Sequence, residues 1–216
     1  MASKTDYEAK RDRIVRVLVS RRVIRSQSVI KAMMTVPREE FVRKGQKEYA
    51  YIDTPLQIGY GQTISAIHMV GMMAEALELD IGQTVLEVGA GSGYHAAVVA
   101  EIVSPGGVDS AGHVYTVEIV PELAEFARRN LKRTGYADRV TVLCGDGSKG
   151  YSDKAPYDRV LVTAAAPEVP RPLVEQLKVG GVLVIPVGGI YFFQNLLKVQ
   201  KVSEEKTVTK NLGGVA

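Results

Sequence analysis

Apolar side chains recur at helical spacing early in the chain and change to strand-like runs from residue 84 onward. Tyr7, Ile14, Val15 and Leu18 predict a helix over 5–20, and Val29, Ile30 and Met33 a second over 28–36, which Pro37 stops. Residues 42–64, punctuated by Gly45, Pro55, Gly59 and Gly61, carry neither period and read as one long ordered loop. Ser65 is then expected to cap a third helix, with Met69, Met72, Met73, Ala76 and Leu77 along its inner face. A methionine stripe at that spacing reads as core.

Five runs follow, TVLEV, HVYTVEI, RVTVLCG, DRVLVTA and GVLVIPV, β-branched and nearly continuous in hydrophobicity, as central parallel strands buried on both faces should be. Helices fit between them at 93–103, at 121–133 (Pro121 in the first turn, Gly135 past the end) and at 170–178. After Gly180-Gly181 no helix fits between GVLVIPV, FFQNLLKVQKV and KTVTKN, which predicts antiparallel pairing at the end of the sheet. The pattern predicts an α/β fold: a doubly wound, mostly parallel sheet with an antiparallel C-terminal hairpin. Residues 1–64 form an N-terminal helical cap and loop, and residues 65–216 one compact unit.

Composition narrows the classes. With 46% hydrophobic and 24% charged residues, the 216-residue chain is neither disordered, collagenous nor a coiled coil. No run approaches a membrane span, and MASKTDYEAKRDR lacks the apolar stretch of a secretory signal, so no membrane association and a cytoplasmic location are expected. Cys144 is the single cysteine, which excludes a disulfide framework and any metal site needing two thiolates. Net charge is +3, but residues 1–50 hold 13 Lys/Arg against 6 Asp/Glu. That excess is either a solvated helical face or an attraction for an acidic ligand. Neither a zinc-finger spacing nor an aromatic-rich RNA-binding signature accompanies it, so no nucleic-acid partner is expected.

The chemistry concentrates in VLEVGAGSGYHAAVVA, residues 85–100, a strand running through Gly89, Gly91 and Gly93 into a helix. Such a turn brings backbone close to a ligand and aims helix N-terminal amides at it. The G-x-G-x-G spacing departs from the dinucleotide fingerprint, which wants its third glycine where Tyr94 stands, and Glu87 lies two residues before the first glycine. Glu118 closes the next strand, where a carboxylate accepts two hydrogen bonds from a ribose diol; read structurally, it is an acid at the start of a helix. Asp146 and Gly147 follow the third strand, placing a short acid within reach of an adenine amino group. All three positions fall at carboxyl ends of strands, where open α/β sheets bind ligands, and together they indicate an adenosine ligand. His95 and His113 read as surface or loop histidines.

These motifs resemble the class I S-adenosylmethionine-dependent methyltransferases, a Rossmann-like fold. VPREEF (36–41), YIDTPLQIGYGQTISAIHM (51–69), VTAAAPEVP (162–170) and LKVGGVLVIPVG (177–188) are, more narrowly, similar to the protein-L-isoaspartate O-methyltransferase family. The resemblance implies methyl transfer from S-adenosyl-L-methionine to the free α-carboxylate of L-isoaspartyl residues in damaged peptides and proteins, with no metal. It implies Ser65 as the active-site serine, Ile64 and His68 beside the cofactor, and Glu87, Gly89, Gly91, Gly93, Glu118, Asp146 and Gly147 as cofactor contacts. Ala165, Ala166 and Pro167 border the peptide cleft. The sequence departs from the family at Ile67, where proline is usual, and at Gly213-Gly214-Val215-Ala216, where relatives continue into another strand, so a short C-terminal edge is expected. Two other readings stay open: a class I methyltransferase acting on a nucleic acid or small molecule, and a non-catalytic cofactor-binding module.

Overall fold

The computed structural model describes residues 4–106, 112–189 and 194–215; Phe192, Phe193 and Ala216 of the runs named above lie outside them. Seven strands, β3 (Thr84–Val88), β4 (His113–Glu118), β5 (Val140–Cys144), β6 (Tyr157–Val162), β7 (Leu177–Val187), β8 (Gln194–Lys201) and β9 (Thr207–Val215), form a sheet of order β5-β4-β3-β6-β7-β8-β9. The first five are parallel, and β8 and β9 add antiparallel. The fold is the expected one: a mostly parallel sheet closed by antiparallel strands, with helices packed on it.

The period-2 alternation of buried strands divides the core in two. Val85, Leu161, Val182 and Val184 face one side of the sheet, where they join Leu18 of α1 (Lys4–Ser20), Met33 of α2 (Gln27–Thr35), Ala74 of α3 (Ile67–Ala76), Val98 of α4 (Tyr94–Val103) and Leu123 of α5 (Pro121–Thr134). Leu86, Val160, Leu183 and Ile185 face the other side, covered by Leu173 of α6 (Arg171–Glu175) and by the segment around Tyr151 and Ala155. The N-terminal helices thus share the sheet's own core. Among the described side chains of α1 only Val15 and Leu18 are buried; Arg13, Arg16 and, just past the helix, Arg21 stand in solvent, with Arg16 paired to Asp12 at 2.7 Å.

Three expectations change. Residues 42–64 are not one loop: a 3-10 turn at Lys44–Tyr49 leads to a hairpin of β1 (Leu56–Gly59) and β2 (Gln62–Ile64). Its turn is made by Tyr60 and Gly61, both at positive φ, 56° and 71°, as tight two-residue hairpins require. The strands are too short for an alternating pattern to show. The second change is the phase of α3, whose buried face is Ile67, Val70, Gly71, Met73, Ala74 and Leu77, while Met69, Met72 and Ala76 pack only at the margin. Thirdly, α6 is limited to Arg171–Glu175, because Leu177 onward is drawn into β7 beside β6.

Candidate active site

The chain leaves β3 toward β4 and β5 on one side and returns as β6 on the other. That reversal is the topological switch point, where the loops following the strands part and leave a crevice. A cavity of about 420 Å³ occupies it, lined by segments after all four strands: 88–92, 117–120, 146–148 and 162–166.

Backbone geometry shapes its floor. Gly89 sits at φ +96°, and a Cβ there would lie 2.4 Å from Thr163 Oγ1. Thr163 uses that hydroxyl to donate to the Gly89 carbonyl at 2.7 Å, tying the glycine turn to the end of β6. Gly147 is held as closely, since a Cβ would meet Val88 Cγ1 at 2.4 Å. Gly93 is the N-cap of α4 and packs toward Leu131, away from the cavity lining.

Glu118 is buried and organises two loops. Its Oε2 accepts from the Gly91 amide at 2.8 Å and its Oε1 from the Val120 amide at 3.0 Å. Each carboxylate oxygen keeps a second lone pair, so the group can still receive hydroxyl donors from the cavity. Asp146 accepts from the amide and hydroxyl of Ser148 (3.0 and 2.7 Å); these bonds hold its carboxyl below the ordinary range, so it stands in the cavity as an anion. Two close-packed glycines, a buried acid with spare acceptor capacity and a second acid one strand along fit an adenosyl ligand by size and chemistry.

The cavity is also lined by Ile64 at the end of β2 and Ser65 on the connection to α3, together with Ala164, Ala165 and Ala166. Ser65 does not cap α3: the N-cap is Ala66, with no side-chain bond, and the first amides are served from a distance. Asp53 Oδ1 accepts from the His68 amide and contacts His68 Nδ1, each at 2.9 Å. His68 is thereby turned to Asp53 and is not among the cavity's lining residues. Ala166 is fixed to β7, donating to Pro186 O (3.2 Å) and accepting from the Gly188 amide (3.0 Å); Pro167, exposed, lies just beyond the lining.

Glu87 lies within the sheet, fully buried and off the cavity surface. Thr116 Oγ1 donates to its Oε2 at 2.5 Å, while Oε1 has no partner among the described residues. Burial, assisted by the neighbouring Glu118 charge, pushes its carboxyl up to about 8 despite the Thr116 bond. Neither His95 nor His113 is a surface residue. His113 is half-buried in β4 and bonded to Thr141 at 2.9 Å. His95, 7% exposed, lines the cavity beside Tyr94, with Nε2 unpartnered among the described residues. Burial, with the nearby Arg38 charge, pulls its pKa down to about 3, so the imidazole is neutral. Arg38, which pattern reading passes over, is completely buried behind Ser65. No group of three His, Cys, Asp or Glu side chains is placed to hold a metal among the described residues, and no described helix is long and apolar enough to cross a membrane.

A parallel sheet ending in antiparallel strands, with a glycine turn after its central strand and an acid after each of the next two, defines a methyltransferase of the S-adenosylmethionine-dependent, Rossmann-like class. Within that class the chain belongs to the protein-L-isoaspartate(D-aspartate) O-methyltransferase family, whose sequence profile it matches over residues 9–216. It is 59% identical over 208 residues to protein-L-isoaspartate O-methyltransferase of Staphylothermus marinus, covering 96% of this chain and 92% of that one. To the enzyme of the same name from Hyperthermus butylicus it is 60% identical over 202 residues, 93% of this chain and 83% of that one. A Plasmodium falciparum crystal structure assigned to the same activity, in complex with S-adenosyl-L-homocysteine, superposes with a TM-score of 0.81 at 26% identity, covering 95% of each chain.

Proposed function

We propose that this chain transfers a methyl group from S-adenosyl-L-methionine to the free α-carboxylate of L-isoaspartyl residues in peptides and proteins, with Ser65 at the acceptor position. The observation that carries the residue assignment is the shared cavity: Ser65 and Ala164–Ala166 face the same space as the glycine turn, Glu118 and Asp146.

Glu118 would receive the ribose hydroxyls, Asp146 the adenine amino group, and Gly89 and Gly91 the amino-acid end, with Ile64 against the cofactor. When bound, S-adenosylmethionine supplies a methyl group on a positively charged sulfur. The chain's residues then have to hold an acceptor oxygen in line with that methyl group and keep water away. A carboxylate acceptor is ionised at neutral pH, its ordinary pKa being about 4, so no general base is needed. The neutral His95 and the hydroxyl of Ser65 suit that task. Neither takes the acceptor's negative charge into an ion pair that alignment would have to break. Positioning and desolvation supply most of the acceleration in such a transfer. Glu87 serves by stiffening the strand beneath the glycine turn, and His68 by anchoring the start of α3 to Asp53.

An isoaspartyl residue routes the main chain through its side-chain methylene and leaves the α-carboxylate free. An open wall of alanines admits the extra methylene, and in a normal aspartyl peptide the carboxylate sits one bond further from the main chain. A misplacement of about 1 Å costs on the order of a hundredfold in rate. The test offers matched isoaspartyl and aspartyl peptides with methyl-labelled cofactor and counts base-labile methyl ester. Label on the isoaspartyl peptide alone is the expected result; equal labelling, or label on nucleic acid only, overturns the reading.

A further inference from the structure

Arg38 is among the largest fully buried side chains of the described residues. It belongs to the single 3-10 turn Arg38–Glu40 that follows α2, far in sequence from the cavity it stands behind. Its Nε donates to the Ala50 carbonyl at 2.9 Å and its Nη2 to the Ser65 carbonyl at 2.7 Å. The guanidinium lies 4.9 Å from the centre of the Tyr94 ring, which opens α4 after the glycine turn and lines the cavity. Nη1 has no partner among the described residues.

Burying a guanidinium is expensive, and an apolar side chain of similar volume would fill this space at lower cost. Filling space therefore does not account for an arginine here. What the arginine adds is a rigid fork that binds two carbonyls at once. One belongs to the segment leading into the β1–β2 hairpin, the other to Ser65. The Ser65 backbone has no helix to hold it, since α3 starts two residues later, and its own side chain caps nothing. The bond from Arg38 holds its carbonyl and so restrains the backbone from which its Cβ leaves the chain.

We propose that Arg38 is a positioning residue for methyl transfer, acting through the Ser65 carbonyl to hold the Ser65 hydroxyl at the acceptor oxygen. The proposal rests on the reading of Ser65 given above. Arg38 is not among the cavity's lining residues. Its hydrogen bond to a lining residue goes to Ser65, while its contact with Tyr94 is a ring contact, so the coupling to Ser65 is what the test has to isolate.

The test is a double-mutant cycle on the full chain: wild type, Arg38→Met, Ser65→Ala and the pair, with kcat and KM for an isoaspartyl peptide, cofactor Kd by calorimetry, and melts to express rates per folded molecule. Arg38→Met is expected to lower kcat by about a hundredfold, the cost of a misplacement near 1 Å, with cofactor Kd held within about threefold, under 1 kcal/mol. In the Ser65→Ala background the same change is expected to cost little more, because the group it positions is already gone. Should Arg38→Met fail to fold, Arg38→Lys completes the cycle: it keeps the charge but lacks the fork, so the same loss and the same coupling are expected. Equal losses with and without the Ser65 hydroxyl would overturn the proposal while leaving Ser65's role intact. A Ser65→Ala enzyme with undiminished kcat would overturn both.

Discussion

At the proposed adenosine end of the cavity, the lining residues stand within three positions of the carboxyl end of a parallel strand: Gly89 and Gly91 after β3, Glu118 at the end of β4, Asp146 and Gly147 after β5. At the proposed acceptor end, Ser65, Asp53, Arg38 and Ala165 come from four separate segments, and side-chain bonds spanning 12 to 27 residues tie Arg38 to Ala50 and Ser65 and Asp53 to the start of α3. The sheet itself generates the first end; the second has to be assembled. Damage at one end should therefore leave the other intact, and each prediction below probes that separation, beginning with the largest effect.

The largest concerns Glu87, which lies under the adenosine end without reaching it. Its carboxyl is raised from the ordinary 4.5 to about 8 in the folded chain. Between those values the unfolded chain gives up a proton that the folded chain keeps, so stability is full below about pH 4.5 and falls as pH rises to about 8. Glu87→Gln preserves an acceptor for Thr116 and abolishes the titration. Relative to wild type, the variant should gain on the order of a few kcal/mol between pH 5 and pH 8, at roughly 1.4 kcal/mol per unit of pKa shift. Urea unfolding at both pH values reads the difference. Parallel curves for the two proteins, or a collapse of cofactor affinity in the variant, would refute the placement.

Glu118→Ala should be next in size and confined to the same end. Losing charge-assisted bonds to the ribose costs roughly 1.5–3 kcal/mol of cofactor affinity. The Gly91 and Val120 amides also lose their acceptor, which loosens the glycine turn. Calorimetry with S-adenosylmethionine checks it, and unchanged affinity would remove Glu118 from the cofactor site.

This separation also explains what could be read from the sequence. Parallel strands announce themselves by unbroken apolar runs, and a crevice follows from strand ends, so the places of Gly89, Glu118 and Asp146 on the cavity were legible together with the sheet and its antiparallel close. Ser65, Ile64 and the alanine wall came from resemblance, since no local rule marks them. The cap of α3 was misread because serine beside a helix start suggests a cap, whereas the acceptor in use, Asp53, stands 15 residues upstream. Arg38 looks like a surface charge in VPREEF until its partners, Ala50 and Ser65, are brought around it. His95 gave one usable signal: α4 is otherwise apolar through AAVVA, so a histidine in its first turn had to be buried with it. The β1–β2 hairpin escaped because three- and four-residue strands have no period to detect.

Asp53→Ala turns that correction into a measurement. Removing the acceptor for the His68 amide should cost about 1 kcal/mol of stability, the usual value of an N-cap. Because α3 begins just past Ser65, kcat/KM for the isoaspartyl peptide should fall as well, while cofactor affinity stays at the wild-type value. Equal losses of both would mean that the two ends are coupled through α3.

The smallest effect on stability is expected at the residue with the largest consequence for turnover. Ser65 is half-buried, its hydroxyl makes no bond that caps α3, and the bond that holds its backbone comes from Arg38 to its carbonyl, which alanine retains. Ser65→Ala should therefore shift stability by no more than about 0.5 kcal/mol, as substitutions away from structural bonds do. A hydroxyl that aligns the acceptor should in contrast lower kcat strongly and leave cofactor binding unchanged. Melts and initial rates on one preparation distinguish the roles: a loss near 1 kcal/mol with activity per folded molecule preserved would return Ser65 to capping, whereas a stable, cofactor-binding and slow enzyme places the acceptor at its hydroxyl.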